Sequence, residues 1–183
     1  MIFKNVVIQS LAEVDPPIRV TSREIEQRLK PALEKLGVRD DLLEEVSGIG
    51  ARRFWERGTQ PSDAATLAAE KALDASGVDR QKIGVIINTS VCRDYLEPST
   101  ACIVHGNLGL GEDCLNFDVG NACLAFMNGM DIAARMIERA EVDYALIVDG
   151  ESSRPITEAT IERMLQPDIT PEQFRSEFAS LTL

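Results

Sequence analysis

Apolar residues recur along this chain in two alternating rhythms: short β-branched runs, and longer stretches in which they return every third or fourth position. The short runs at residues 6–11, 83–88, 115–119 and 144–148 predict strands. Residues 22–36 predict an amphipathic helix with Ile25, Leu29, Leu33 and Leu36 on one face, Ser22 as its cap and Gly37 as its stop. Pro31 falls inside that helix and predicts a kink or a division. A short helix is expected over 40–46, before the turn-like Ser47-Gly48-Ile49-Gly50. Residues 62–76 predict an Ala-rich helix capped by Ser62 and closed by Gly77.

Pro98 is expected to open a helix running to about Leu108, with the acid Glu97 just ahead of it. The run from Cys123 to about Ala140 predicts a further helix, apolar almost all round in its first half and therefore buried. Residues 156–165 and 171–179 predict two charged helices, the second opened by a capping box of Thr170 and Gln173. Strands alternating with helices define βαβ units and a largely parallel, layered α/β fold. No internal repeat or low-complexity tract interrupts it. The final apolar residues, 180–183, look like an unfinished strand in need of a partner, which suggests an incomplete polypeptide.

With 183 residues and 44% hydrophobic content, the chain is long enough for one domain with a real core. Its net charge of −11 argues against non-specific nucleic-acid binding, which needs Lys and Arg against phosphate. Arg52, Arg53 and Arg57 form a local basic cluster that could meet an anionic ligand, although a solvated face is the simpler account. The cysteines at 92, 102, 114 and 123 form no C-x-x-C pair and there is one His, so no metal site is expected. The thiols and the lack of a secretory signal are most simply those of a reduced, cytoplasmic chain. No stretch approaches the ~18 consecutive apolar residues of a membrane span.

Chemistry concentrates at Val119-Gly120-Asn121-Ala122-Cys123-Leu124-Ala125-Phe126. A strand enters small residues and passes directly into an apolar helix, which puts Cys123 at or beside the helix's first turn. Free backbone N–H groups and the macrodipole favour negative charge there, and a thiol so placed is a better nucleophile. With the helix buried, the sulfur would lie at the base of a pocket. The plainer account is a packing cysteine, since free Cys is among the most buried residue types.

The sequence resembles the N-terminal half of thiolase-fold condensing enzymes of the β-ketoacyl synthase III type. The matching pieces are Ser47-Gly48-Ile49 with Arg52-Arg53, Ser62-Asp63, Ile83-Gly84-Val85-Ile86-Ile87-Asn88-Thr89, Pro98-Ser99-Thr100, Leu108-Gly109, Phe117-Asp118-Val119 before Ala122-Cys123, and Tyr144-Ala145-Leu146-Ile147-Val148. Asp94-Tyr95-Leu96-Glu97-Pro98-Ser99-Thr100 and Asn121 to Phe126 are most similar to the head-to-head condensing thiolases of long-chain olefin biosynthesis. The resemblance implies a layered αβαβα fold of two similar halves, forming a dimer, with a mostly parallel sheet and a buried nucleophile helix in the first half. Residues 1–183 would be that N-terminal half-domain, with about 150–183 a helical, insertion-like segment.

By the same resemblance, Cys123 is the nucleophile that accepts an acyl group from an acyl thioester, its backbone N–H contributing to an oxyanion hole. Glu97 is a general base reaching across the dimer; an apolar tunnel strengthens such a base. Glu97 otherwise simply favours the N-terminus of the helix after it. His105, the only histidine, is expected to be structural. The family's catalytic His and Asn lie in its second half. Positions that clamp the adenine of coenzyme A in some relatives fall at Leu42 and Val46 here, so how the carrier docks stays open.

These expectations describe an acyltransferase that joins two long-chain acyl-CoA molecules into a β-keto acid. It would use no cofactor beyond the acyl-CoA substrate, and it would have a second-half polypeptide, a homodimer partner or both. A decarboxylating synthase is an alternative that Glu97 opposes, because decarboxylation needs no base. A non-catalytic half acting as a structural partner is another. A nucleotide-binding module resting on Gly106-Asn107-Leu108-Gly109-Leu110-Gly111 fails, because the glycines are in the wrong order for a dinucleotide fingerprint.

Overall fold

The computed structural model describes residues 2–182. In chain order its elements are β1 (Ile18–Thr21), α1 (Ser22–Leu36), α2 (Leu42–Ser47), β2 (Ala51–Phe54), α3 (Pro61–Ser76), β3 (Ile83–Asn88), α4 (Thr100–Leu108), β4 (Leu115–Asp118), α5 (Ala125–Glu138), β5 (Tyr144–Val148), α6 (Arg154–Met164) and α7 (Pro171–Ser180). They form two compact units, one from residues 2–14 with Gly58–Ser152, the other from Asp15–Arg57 with residues 153–182.

The first unit is built on a three-stranded parallel sheet in the order β4-β3-β5. In the central strand Val85, Ile86 and Ile87 are completely buried, as a strand covered on both faces requires. Successive side chains point to opposite faces, so Ile86 packs with Ala65, Ala69, Leu73 and Val104 of α3 and α4. Val85 and Ile87 pack with Ala133 of α5 on the other side. The result is helix, sheet, helix. Gly129 lets α5 lie close to the sheet: a Cβ there would come within 3.0 Å of Thr89 and 3.3 Å of Ile147.

The run at residues 6–11 is not a strand. It joins no ladder and is tied down by Ser10 Oγ donating to the Ala72 carbonyl at 2.9 Å. Lys71 Nζ also donates to the Glu13 carbonyl at 2.7 Å. Val7, Ile8 and Leu11 are exposed. A β-branched run becomes a strand only where a partner edge is available, and no described strand pairs with this segment.

In the second unit β1 and β2 pair antiparallel, with Val20 opposite Arg52. Ile25, Leu29 and Leu33 of α1 pack with Ile161 and Met164 of α6 and Phe174 and Phe178 of α7. In the segment after residue 150, α6 and α7 are helical as expected and complete the core begun by α1. The strand expected at 180–183 is not formed by the described residues of that run. Ser180 ends α7, and Leu181 is buried in the same core, with its carbonyl accepting from Arg52 Nη2. Leu183 lies outside the described residues.

Helix α1 begins where expected, but its cap is Thr21, not Ser22, in a capping box with Glu24. Pro31 does not divide it. The proline is on the exposed face, where water can satisfy the carbonyl that its missing N–H leaves unpaired. Buried Glu26 reaches from α1 to the start of α2, accepting from the backbone N–H groups of Asp41 at 3.0 Å and Leu43 at 2.7 Å.

Candidate functional site

Strands β3 and β4 end side by side, and the last rung of their ladder is Val119 N–H donating to the Asn88 carbonyl at 2.8 Å. Beyond it the chains part around a cleft of about 310 Å³. Val91 and Arg93, after β3, form one wall; Gly120, Asn121 and Ala122, after β4, form the other. The carboxyl ends of adjacent parallel strands are where α/β sheets hold ligands.

The β4 wall is a strained turn. Ala122 has φ of 44°, a left-handed conformation that costs a non-glycine residue about 1–2 kcal/mol. Asn121 Nδ2 braces it by donating to Asn128 Oδ1 at 2.7 Å. Residues Ala122–Leu124 then form one 3₁₀ turn that runs into α5. Cys123 is the middle residue of that turn, directly after the cleft wall, so the strand-to-helix placement expected from sequence holds.

The expected burial does not hold. Cys123 is exposed, and Leu124 and Met127 are 61% and 59% exposed. Only the small-residue stripe of Ala125, Gly129, Ala133 and Ala134 is buried in α5. Phe126, Met130 and Ile132 are half-buried, Leu124 and Met127 stand in the open, and the sulfur lies beside the cleft, not at its base.

Glu97 sits on the exposed loop between β3 and α4 that also supplies Val91 and Arg93, but it does not line the cleft. Helix α4 starts at Thr100, two residues later than the Pro98 start predicted. Its first turn is served by Ser99 Oγ, which accepts from Cys102 N–H at 3.2 Å. The Asp118 carboxylate accepts from Thr100 N–H at 3.1 Å and Ala101 N–H at 2.8 Å. Glu97 is therefore not needed at that terminus, and among the described residues no hydrogen bond or ion pair engages it.

Carboxylates that the sequence did not single out fix the loop. Asp94 accepts from Ser62 Oγ at 2.6 Å and from Thr100 Oγ1 at 3.3 Å, so Ser62 serves that loop and is not the cap of α3. Glu151 accepts from Val91 N–H at 2.6 Å and Cys92 N–H at 3.1 Å. Burial, with Glu151's charge beside it, holds Asp149 above the usual carboxylate range. Burial, then a hydrogen bond from the thiol to Glu151, pushes Cys92 up to about 11. Burial raises Cys114 as well. Neither of these two thiols is a thiolate at neutral pH. No local pattern marks the carboxylates, because all their partners but Thr100, six residues from Asp94, are 17 to 60 residues away.

His105 Nε2 lies 3.0 Å from the Gly111 carbonyl and must carry the proton to donate to it, a structural role. The arginine cluster is absorbed by its own unit. Arg52 Nη1 donates to Ser22 Oγ at 2.9 Å, Arg53 Nη1 to the Pro16 carbonyl at 3.1 Å, and Arg57 pairs with Glu158 at 3.2 Å. In the glycine run, Gly109 takes a left-handed conformation that stops α4. Among the described residues no helix is long and apolar enough to cross a membrane.

No family model matches the sequence. The acyl-CoA:acyl-CoA alkyltransferase of Xanthomonas campestris is 58% identical over 183 residues, covering 100% of this chain and 54% of that protein. The protein of the same name from Shewanella oneidensis is 38% identical over 182 residues, covering 52% of its length. Among solved structures, cerulenin-bound Xanthomonas campestris OleA superposes with a TM-score of 0.95 at 58% identity, over 99% of this chain and 54% of that one. The 3-oxoacyl-(acyl carrier protein) synthase III, FabH, of Xanthomonas oryzae gives 0.95 at 59% identity, with 99% and 54% covered. The fold is thus the thiolase-like α/β fold, and the chain matches the N-terminal half of condensing enzymes of that class. Within the class, its similarity is to the OleA-type alkyltransferases. The chain spans about half the length of the curated relatives it matches.

Proposed function

We propose that this chain supplies the acyl-accepting half of a head-to-head acyl-CoA condensing enzyme. The Cys123 thiolate attacks the carbonyl carbon of a long-chain acyl-CoA, the coenzyme A thiolate leaves, and the acyl chain remains as a cysteine thioester. The Cys123 N–H is among the first free donors of its turn and contributes to holding the oxyanion. Glu97, reaching the site of a second copy in a homodimer, removes the α-proton of a second acyl-CoA. The resulting carbanion attacks the cysteine thioester, the Cys123 sulfur leaves, and a β-ketoacyl thioester forms. Hydrolysis of that thioester gives the β-keto acid. A second-half polypeptide completes the catalytic constellation, and the reaction runs in the cytoplasm without a cofactor beyond the substrate.

The observation carrying this reading is the position of Cys123: it follows left-handed Ala122, between a cleft and the start of α5. The whole-chain similarity to acyl-CoA:acyl-CoA alkyltransferases supports it. The test incubates the chain, alone and with a second-half polypeptide, with labelled long-chain acyl-CoA, and locates added mass. Acylation at Cys123 that disappears in Cys123→Ser supports the enzyme. One observation favours a second reading, a non-catalytic structural half: the sulfur is exposed and does not itself line the cleft. No acylation in any assembly would establish that reading instead.

A further inference from the structure

The loop between β3 and α4 forms one wall of the cleft and carries Glu97, so whatever fixes this loop fixes both. Its beginning is stitched to the end of β5. Thr89 N–H and Thr89 Oγ1 both donate to the Val148 carbonyl at 2.9 Å, and Gly150 N–H donates to Ser90 Oγ at 2.7 Å. The last two stitches come from one side chain: the two carboxylate oxygens of Glu151 each accept a backbone N–H, from Val91 and from Cys92. Asp94 then ties the loop to Ser62 and Thr100, and only Tyr95, Leu96, Glu97 and Pro98 are left to project.

We propose that Glu151 is a positioning residue for the condensation, setting the wall at Val91 and Arg93 and, through it, the place of Glu97. The chemical part of this rests on the proposed role of Glu97 as base. Glu151 is itself exposed, so its bonds to the loop are not a by-product of core packing. Its two hydrogen bonds cannot both be copied by an amide, which presents one acceptor oxygen and would turn N–H donors toward the second backbone N–H.

The full chain, with its second-half polypeptide, is compared as wild type, Glu151→Gln and Glu151→Asp by hydrogen–deuterium exchange and by condensation kinetics. In Glu151→Gln, amide exchange over residues 91–99 rises about tenfold while β3 stays protected, as expected for losing one charge-assisted bond. Condensation kcat falls by a similar factor with little change in KM, and Glu151→Asp, which keeps both oxygens, recovers part of each effect. Unchanged exchange over 91–99 overturns the proposal, as does faster exchange with undiminished kcat or a loss of protection spread through β3. A wild-type assembly that condenses nothing refutes the base role of Glu97 and with it the catalytic part of the proposal. Exchange over 91–99 would still show whether Glu151 holds the loop.

Discussion

Asp118, the last residue of β4, reaches across to Thr100, the first residue of α4, and accepts its backbone N–H at 3.1 Å. The same carboxylate takes Ala101 N–H at 2.8 Å. One strand end thereby holds both walls of the cleft: Asp118 immediately precedes the turn to Cys123, while α4 terminates the loop that carries Glu97. Asp118→Ala leaves two first-turn N–H groups of α4 without acceptors and should cost about 1–2 kcal/mol. Urea denaturation of wild type and variant checks this. Asp118→Asn, which keeps one acceptor oxygen, should cost less than Asp118→Ala, and equal losses would show that the side-chain oxygens are not what matters.

Gly150 is a packing constraint of a different kind. A Cβ there would sit 2.0 Å from the Pro61 carbonyl and 2.6 Å from the Ala65 nitrogen, both backbone atoms that cannot swing away. Gly150→Ala must push α3 off the end of β5, next to the carboxylate of Glu151. A loss of about 3 kcal/mol or more is expected. Thermal unfolding measures it; a melting temperature matching wild type would mean that α3 and β5 do not pack as described.

How legible this was from sequence depends on how far the deciding partner lies along the chain. Strands β3 and β5 match the expected runs to the residue, because both are short apolar stretches that stop at polar or turn residues, Thr89-Ser90 and Asp149-Gly150. The capping box at Thr170 and Gln173 was equally plain, since both members lie within one turn. The antiparallel β1–β2 pair is not legible in the sequence: Ala51-Arg52-Arg53-Phe54 has no apolar alternation, and its partner is some 30 residues away. The strand expected at 6–11 failed for the converse reason, a good pattern with no described edge beside it. At the site, Cys123 was located by its local strand-to-helix setting. The burial of its helix was not legible, because periodicity reports which residues are apolar and not what covers them. Asp94 and Asp118 stand inside the motifs that carry the resemblance, but what they and Glu151 hold lies mostly far along the chain, so no local pattern gives their roles.

The pH dependence of stability should carry the signature of Asp149. Burial and the neighbouring charge of Glu151 raise its carboxyl above the unfolded value, with Thr89 Oγ1 at 3.4 Å opposing only weakly. The folded state therefore binds this proton more tightly than the unfolded one. The group's contribution is most favourable below its unfolded value and is lost as pH rises through the folded one. Asp149→Asn removes that loss while keeping an oxygen for Thr89, so the variant should be the more stable protein at neutral pH. Denaturation midpoints across pH 4–8 test the sign, and a variant that is less stable at neutral pH would contradict it.

The cysteines should separate by reactivity, and that order bears on the chemistry assigned to Cys123. Alkylation requires a thiolate that reagent can reach. Cys92 is pushed up to about 11 by burial and by Glu151, and Cys114 is buried and raised too, so both should resist iodoacetamide at pH 8. Cys123 and Cys102 are exposed and should be modified first, as peptide mass mapping after brief labelling would reveal. Raising the pH toward 11 should bring Cys92 into reaction, and Glu151→Gln should do so at lower pH by removing the negative charge beside the sulfur. Prior acylation with a long-chain acyl-CoA should protect Cys123 while leaving Cys102 open. If Cys102 were protected equally, accessible thiols in general would be capturing the acyl group, and the turn after Ala122 would confer no selectivity on the sulfur it presents.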